Sequence, residues 1–301
     1  DKSELKTVLY GADLNGASFA EAHLQHADLG ATDLSSADLS GANATEANLR
    51  GALLLDTKLD ATDLSNAVIN IAGASLPEDI QRLLREHALW IDSFGVMGTR
   101  ADFAGRDLSG IDFGGAYLSG ANLRSANLTG AKLKGAFLVL ADLEGATLDE
   151  ADLRRADFAG ASLKSSKIRH ARLDDARFDP TEILSAAGGA TGEDKRTDLS
   201  HASLRQSALS GASLKLANIQ QGDLHGVIAE QTNFCGADLS GANLSDANLT
   251  RSDLSETNLT GANMRQCDLR AANLRNAQTE EADTAGARLD DANTEGTSLS
   301  K

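Results

Sequence analysis

The sequence predicts an all-β solenoid, and three observations lead there. A five-residue pattern centred on Leu or another large apolar residue runs through most of the 301 residues. Aromatic residues make up only 4%, and Ala, Leu, Asp, Asn, Ser and Gly dominate, so layered sheets and helices would lack their usual large fillers. A period of five smears Leu around a 3.6-residue helix, whereas an extended segment keeps positions two apart on one face.

The repeat is plain in Gly11-Ala12-Asp13-Leu14-Asn15, Ser36-Ala37-Asp38-Leu39-Ser40, Gly120-Ala121-Asn122-Leu123-Arg124 and Gly241-Ala242-Asn243-Leu244-Ser245. With the Leu position called i, Ala sits at i−2 and Asp or Asn at i−1; a polar residue follows at i+1 and often Gly at i+2. Positions i−2 and i point inward, i−1 points outward, and the chain turns at i+1 and i+2. Centres run from Leu9 to Ile69 (13 repeats), Phe103 to Phe178 (16 repeats) and Leu199 to Leu299 (21 repeats). The predicted organisation is a first solenoid block at 1–74, an inserted helix and linker at 75–101, and a second block at 102–179. An inserted loop follows at 180–197 and a third block at 198–301.

The A(D/N)LXX pattern resembles that of the pentapeptide-repeat family, and it covers roughly five-sixths of the chain. The resemblance implies a right-handed quadrilateral β-helix with four repeats per coil. Residues twenty apart should then stack. Asp112, Lys132, Asp152 and Arg172 alternate in sign at that spacing, as do Arg124, Glu144 and Lys164. In the second block nine opposite-sign pairs at spacing 20 face one like-sign pair, Lys134–Arg154, so the charge pattern favours the four-sided coil. Exposed pairs of this kind serve register more than stability.

Two interruptions break the period. In the first, Pro77 precedes Glu78 and Asp79, a good helix start. Ile80, Leu83, Leu84, His87, Ile91 and Phe94 share a stripe and Gly95 stops it, so 77–94 reads as one amphipathic helix carrying the only Trp, Trp90. The second holds a short helix over 181–187, then a flexible Gly188–Gly192 loop.

Chemistry is sparse. Lys195 follows Asp194, so the Gly-Lys-Ser/Thr cradle of a phosphate loop is missing. His23 and His26 diverge at i−1 and i+2 with no completing ligand, Cys267 takes an inward position, and Cys235 points outward twenty residues after Lys215. No catalytic residue, cofactor or metal is expected, and the chain reads as a non-enzyme. Outward apolar residues are the better signal, because i−1 and i+1 are otherwise polar: Leu53, Leu55 and Val68, then Tyr117, Phe137, Val139 and Leu140, then Leu216 and Ile228. They mark a partner surface or the seat of the inserted helix, and docking of the helix on its own rod is the favoured reading.

The formal net charge is −16, with 11 acids against 4 bases over residues 1–74. Nucleic acid is therefore not expected as a partner. Some family members resemble duplex DNA and bind type II topoisomerases, which makes an acidic DNA mimic the alternative reading. A rod of about 60 Å would need roughly 35 charges to match DNA, and this chain reaches about half. The leading expectation is a protein-binding scaffold for an unidentified protein. No segment suits a membrane span or a signal peptide, so a cytoplasmic location is expected, and Asp1 at the start points to a processed or excised chain. Threonines at centres 279, 284 and 294 make a poor end for stacking, so a monomer is expected.

Overall fold

The computed structural model describes residues 7–49, 51–54, 56–69, 76–184 and 190–299. Its unit of construction is one five-residue side, and the side around Leu143 shows how the backbone is satisfied. Leu143 N–H donates to Ser162 O in the next coil (2.7 Å), and Asp142 N–H donates back to Ala121 O (2.9 Å). Gly145 N–H reaches Lys164 O (2.9 Å), while Ala146 N–H closes the turn on Leu143 O (3.0 Å). One donor is left, the N–H of Glu144 at i+1. The Oδ1 of Asp142 accepts it at 3.1 Å. Asp and Asn recur at i−1 because every side has this same spare donor, and their short side chains reach it two residues on.

Each turn carries a positive φ at i+2, whether the residue is Gly145 (φ +68°) or Arg155 (φ +57°). Gly has no steric penalty there, which accounts for its frequency at i+2. Four sides make a coil of twenty residues, as the parallel pairing of Asp142 with Ser162 and Asn122 with Asp142 records.

The chain resolves into two compact units. The first comprises Asp1–Asp102 with Asp112–Leu118. Its ladders begin at Val8–Asp28 and end where β1 (Asn48–Leu49) pairs in parallel with β2 (Val68–Ile69). Leu29, Leu34, Leu39 and Leu49 are fully buried, and Leu9, Leu14, Leu59 and Leu64 in the outer coils are partly so.

Helix α1 (Glu78–Asp92) packs on this unit. Ile80, Leu84 and His87 are buried, together with Gln81 and Ala88; Leu83, Trp90 and Ile91 are half-buried. Ala88 sits over Gly51, where an added Cβ would come within 2.3 Å of the Ala88 Cβ. Tyr10 Oη donates to Ala88 O (3.3 Å) and Arg85 Nε to Ala31 O (3.2 Å), so the helix lies along a corner of the coil. His87 stacks on Trp90 and its Nδ1 accepts the N–H of Ala101 at 3.1 Å. The helix is shorter than the stripe suggests. Phe94 has φ +53° and Gly95 N–H bonds Trp90 O (2.8 Å), so the chain leaves the helix in a left-handed turn and Phe94 stands exposed.

The second unit comprises Phe103–Ile111 with Ser119–Lys301. Phe103, Leu123, Leu143 and Leu163 are wholly buried one coil apart, and Phe158 and Phe178 stack face to face at 5.0 Å. The sequence blocks at 102–179 and 198–301 share one continuous ladder. Asp157 pairs with Arg177, Ser162 pairs with Asp198 across 36 residues, and Asp198 pairs with Asn218 at the ordinary twenty. Sixteen extra residues leave and re-enter at one corner without changing the phase. A short helix over 181–187 and a loop over 188–192 are the sequence expectation there, and the described residues among them, 181–184 and 190–195, form strands instead. Thr181–Leu184 (β3) pairs antiparallel with Ala190–Lys195 (β4), Thr181 opposite Lys195 and Glu182 opposite Asp194. Thr197, fully buried, ties the exit down: its Oγ1 donates to Phe158 O (3.0 Å) and accepts from Gly160 N–H (2.9 Å).

Candidate interaction surfaces

Outward positions carry most of the variable chemistry among the described residues, so the surfaces are built from the i−1 and i+1 columns. Among the described ion pairs at spacing 20, Arg124 reaches Glu144 (2.6 Å), Arg155 reaches Asp175 (3.6 Å), Arg177 reaches Asp157 (3.6 Å) and Arg169 pairs with Asp149. Arg154 and Arg270 behave differently. Each turns sideways to the Asp two residues before it, Asp152 (2.5 Å) and Asp268 (2.6 Å), because i−1 and i+1 lie on one side of the coil within a guanidinium's span. Hydrogen bonds from these arginines hold the Asp152 and Asp268 carboxyls below the usual carboxylate range. For Asp149 burial pushes the other way, and the Arg169 bonds still win.

Asn side chains add a directed ladder. Asn263 Nδ2 donates to Asn243 Oδ1 (2.9 Å), and Asn243 Nδ2 donates to Asp223 Oδ1 (3.0 Å). The same step joins Asn48 to Asp28 and Asn273 to Asp253. Donation in these runs goes toward the preceding coil, so ionised Asp, an acceptor only, closes the N-terminal end of each.

The apolar exceptions separate into kinds. Leu140 and Leu216 have φ of +60° and +58°, so they occupy corners rather than faces. Each folds over the glycine one coil on: an added Cβ at Gly160 would meet Leu140 Cδ2 at 2.9 Å, and one at Gly236 would meet Leu216 Cδ2 at 2.7 Å. Thr181 of β3 also lies over Gly160, at 2.6 Å from that point. Leu53, Tyr117 and Val139 are half-buried. Val68, Phe137 and Ile228 stand out on faces, 43%, 39% and 50% exposed. Leu55 lies outside the described residues. Val8, Val96 and Met97 are exposed too; the Gly95 and Gly98 that bracket Val96 and Met97 were the available sign of a turn there.

Little else offers chemistry. Cys267 is buried, its Sγ donates to Leu244 O (2.7 Å), and burial pushes its thiol up to about 12. His26 faces Glu46 at 3.1 Å. No group of three or more His, Cys, Asp or Glu among the described residues is placed to hold a metal ion. An open cleft of about 380 Å³ on the second unit is lined by Glu230, Thr250, Arg251, Arg270 and Asp290 with neighbours, cations and anions together.

Coils of four five-residue sides, with Asp or Asn serving every turn, define a β-solenoid. The model for pentapeptide repeats matches it in eight copies, over residues 6–35, 32–70, 99–135, 141–179, 195–228 and 230–266. The chain belongs to the pentapeptide-repeat family, whose fold is the right-handed quadrilateral β-helix. No curated protein matches it. Among solved structures it is similar to HetL, a pentapeptide repeat protein involved in heterocyst differentiation regulation from the cyanobacterium Nostoc sp. strain PCC 7120. Identity is 25% over 97% of this chain and 91% of that one, with a TM-score of 0.32. Rfr23 from the cyanobacterium Cyanothece 51142 is 24% identical over 48% and 91%, with a TM-score of 0.29. A trypsin-treated variant of QnrB1, a plasmid-mediated fluoroquinolone resistance protein, is 23% identical over 63% and 89%, at a TM-score of 0.28. No helix among the described residues is long and apolar enough to cross a membrane.

Proposed function

We propose that this chain is a non-catalytic scaffold whose solenoid faces bind protein. One observation carries the reading. On faces that are otherwise ladders of polar and paired side chains, Phe137 and Ile228 stand exposed to solvent. Exposed apolar side chains framed by polar rungs suit a protein partner. The stripe of α1 does not serve this purpose, because it faces the first unit's own coil.

A second reading, an acidic mimic of DNA that engages a type II topoisomerase, is supported by the first unit. There Asp13 pairs with Asp33 in the ladder, two carboxylates on successive rungs, and residues 1–74 are net −7. Neighbouring columns weaken the array, since Lys58 lies 3.6 Å from Asp38 and Asn48 donates to Asp28. A binding experiment against a purified topoisomerase and against captured cellular protein separates the two. A scaffold holds its partner in high salt and loses it with Phe137→Asp or Ile228→Asp. A decoy is released by salt and displaced by duplex DNA.

A further inference from the structure

The face that carries Ile228 is self-complementary, and we infer that it joins two copies of this chain side by side and antiparallel. Its rungs follow from the pairing Asp152–Arg172–Ala208–Ile228–Asn248–Asp268–Arg288. Backbone bonds from Arg155 to Asp174, Asp175 to Ser210, Gly211 to Glu230, Gln231 to Thr250, Arg251 to Arg270 and Ala271 to Asp290 place the i+1 residues in step beside them. Read as i−1/i+1 pairs, the seven rungs are Asp152/Arg154, Arg172/Asp174, Ala208/Ser210, Ile228/Glu230, Asn248/Thr250, Asp268/Arg270 and Arg288/Asp290.

A two-fold axis along the strand direction at the Ile228 rung keeps each column opposite itself and reverses the rung order. The rung three before Ile228, negative then positive, meets the rung three after it, positive then negative. The rung two before, positive then negative, meets Asp268/Arg270, negative then positive. Ala208/Ser210 meets Asn248/Thr250, small and uncharged on both sides. Ile228 meets its own copy. All eight charged positions away from the axis therefore find the opposite sign, and the exposed Ile lies at the centre. Parallel docking about an axis along the solenoid would set each i−1 residue against the i+1 residue of its own rung. The charges would pair equally well there, but Ile228 would meet Glu230 instead of its own copy, so the buried apolar centre selects the antiparallel arrangement.

Glu230 is the exception, since it faces its own copy across the axis. Asn248 Nδ2 donates to its Oε1 at 2.6 Å, which leaves the charge in place. Seven rungs at ~4.8 Å and a face ~10 Å wide give roughly 300 Å² per copy, well below the ~800 Å² of a standard interface. The contact is accordingly weak, concentration-dependent and salt-sensitive. The monomer expected from the polar threonine-bearing end concerns stacking at that end; this contact is lateral and does not use it.

The inference rests on reading this face as a protein-binding surface. Sedimentation equilibrium of the whole chain, from about 10 μM to about 1 mM at low salt, should show a dimer that dissociates at least tenfold more readily in about 0.5 M NaCl. Ile228→Asp should abolish it while the melting temperature holds, because the side chain points outward, and Glu230→Gln should strengthen it. Register is tested in a Cys235→Ser background with copper–phenanthroline as oxidant. Ile228→Cys should cross-link to itself, and Ser210→Cys should cross-link to Thr250→Cys in a mixture. Ser210→Cys joining itself, a monomer throughout the range, or a dimer indifferent to Ile228→Asp each overturns the inference. If the face binds another protein while the chain stays monomeric, the scaffold reading survives and this inference does not.

Discussion

The spare N–H at i+1 explains why Asp or Asn recurs at i−1. Asn243 shows its full use: its Oδ1 accepts from Ser245 N–H (3.3 Å) and from Asn263 Nδ2, while its Nδ2 donates to Asp223. Replacing Asn243 with Asp keeps the first bond, deletes the donor and sets a carboxylate over that of Asp223. The variant should be about 1–2 kcal/mol less stable, and urea unfolding of the variant beside wild type checks it. Glycines at i+2 divide by surroundings. Nothing lies within 4 Å of an added Cβ at Gly130 (φ +65°), so Gly130→Ala should cost only the left-handed backbone, about 1–2 kcal/mol. At Gly160 (φ +66°) the same change meets Thr181 and Leu140 and should cost about 3 kcal/mol or more. Equal losses at both sites would show that β3 does not rest on that corner.

At the scale of elements, α1 is held by tertiary packing rather than by its own caps, since Pro77 offers no side-chain cap. Ala88 meets Gly51 too closely for a larger residue on either side. Ala88→Leu should lift the helix off its corner, move Trp90 emission to longer wavelength and lower the first unit's melting temperature; native emission in the variant would refute the docking. The coil columns respond differently. Leu143 is fully buried between Leu123 and Leu163, so Leu143→Asp buries an unpaired carboxylate and should cost more than ~4 kcal/mol. A melting curve unchanged from wild type would place Leu143 on the wrong side of the wall.

Across the whole molecule, acid and edge effects add up. The serine hydroxyl two residues on, then its N–H, hold Asp38, Asp63 and Asp107 below the ordinary carboxylate range; Arg154 and Arg270 do the same for Asp152 and Asp268. Folded chains therefore bind fewer protons than unfolded ones near pH 3–4, so these groups stabilise fully above the unfolded value of about 3.9. That stability is lost as pH falls through the folded values. Melting temperature should be level above about pH 5 and drop below about pH 4; a drop beginning at pH 6 would implicate histidines instead. Solenoid coils depend on their neighbours, and Thr284, Leu289 and Thr294 are only half-buried where Leu123 to Leu274 columns are sealed. Amide exchange should be slowest over the coils between 120 and 270 and faster at 280–299.

Period, inward and outward sides, the twenty-residue coil and the start of α1 at Pro77 were all legible in the residues. The first three depend on contacts repeated at fixed spacing, so local pattern and long-range pairing carry the same information, and the helix start is written locally in Pro77, Glu78 and Asp79. Three things were decided only by the tertiary structure. Leu140 and Leu216 looked like surface breaks, yet a left-handed corner folds each over a glycine twenty residues on, and backbone sign at i+2 is invisible when Gly is absent. Thr181–Leu184 and Ala190–Lys195 carry no strand alternation, and they pair antiparallel because the coil returns their outer ends to one corner. Arg154 and Arg270 sit at ladder spacing from Asp174 and Asp290 but bond within their own rung, because a long flexible side chain chooses the nearer bidentate carboxylate, a choice made by distance in space and not by number in sequence.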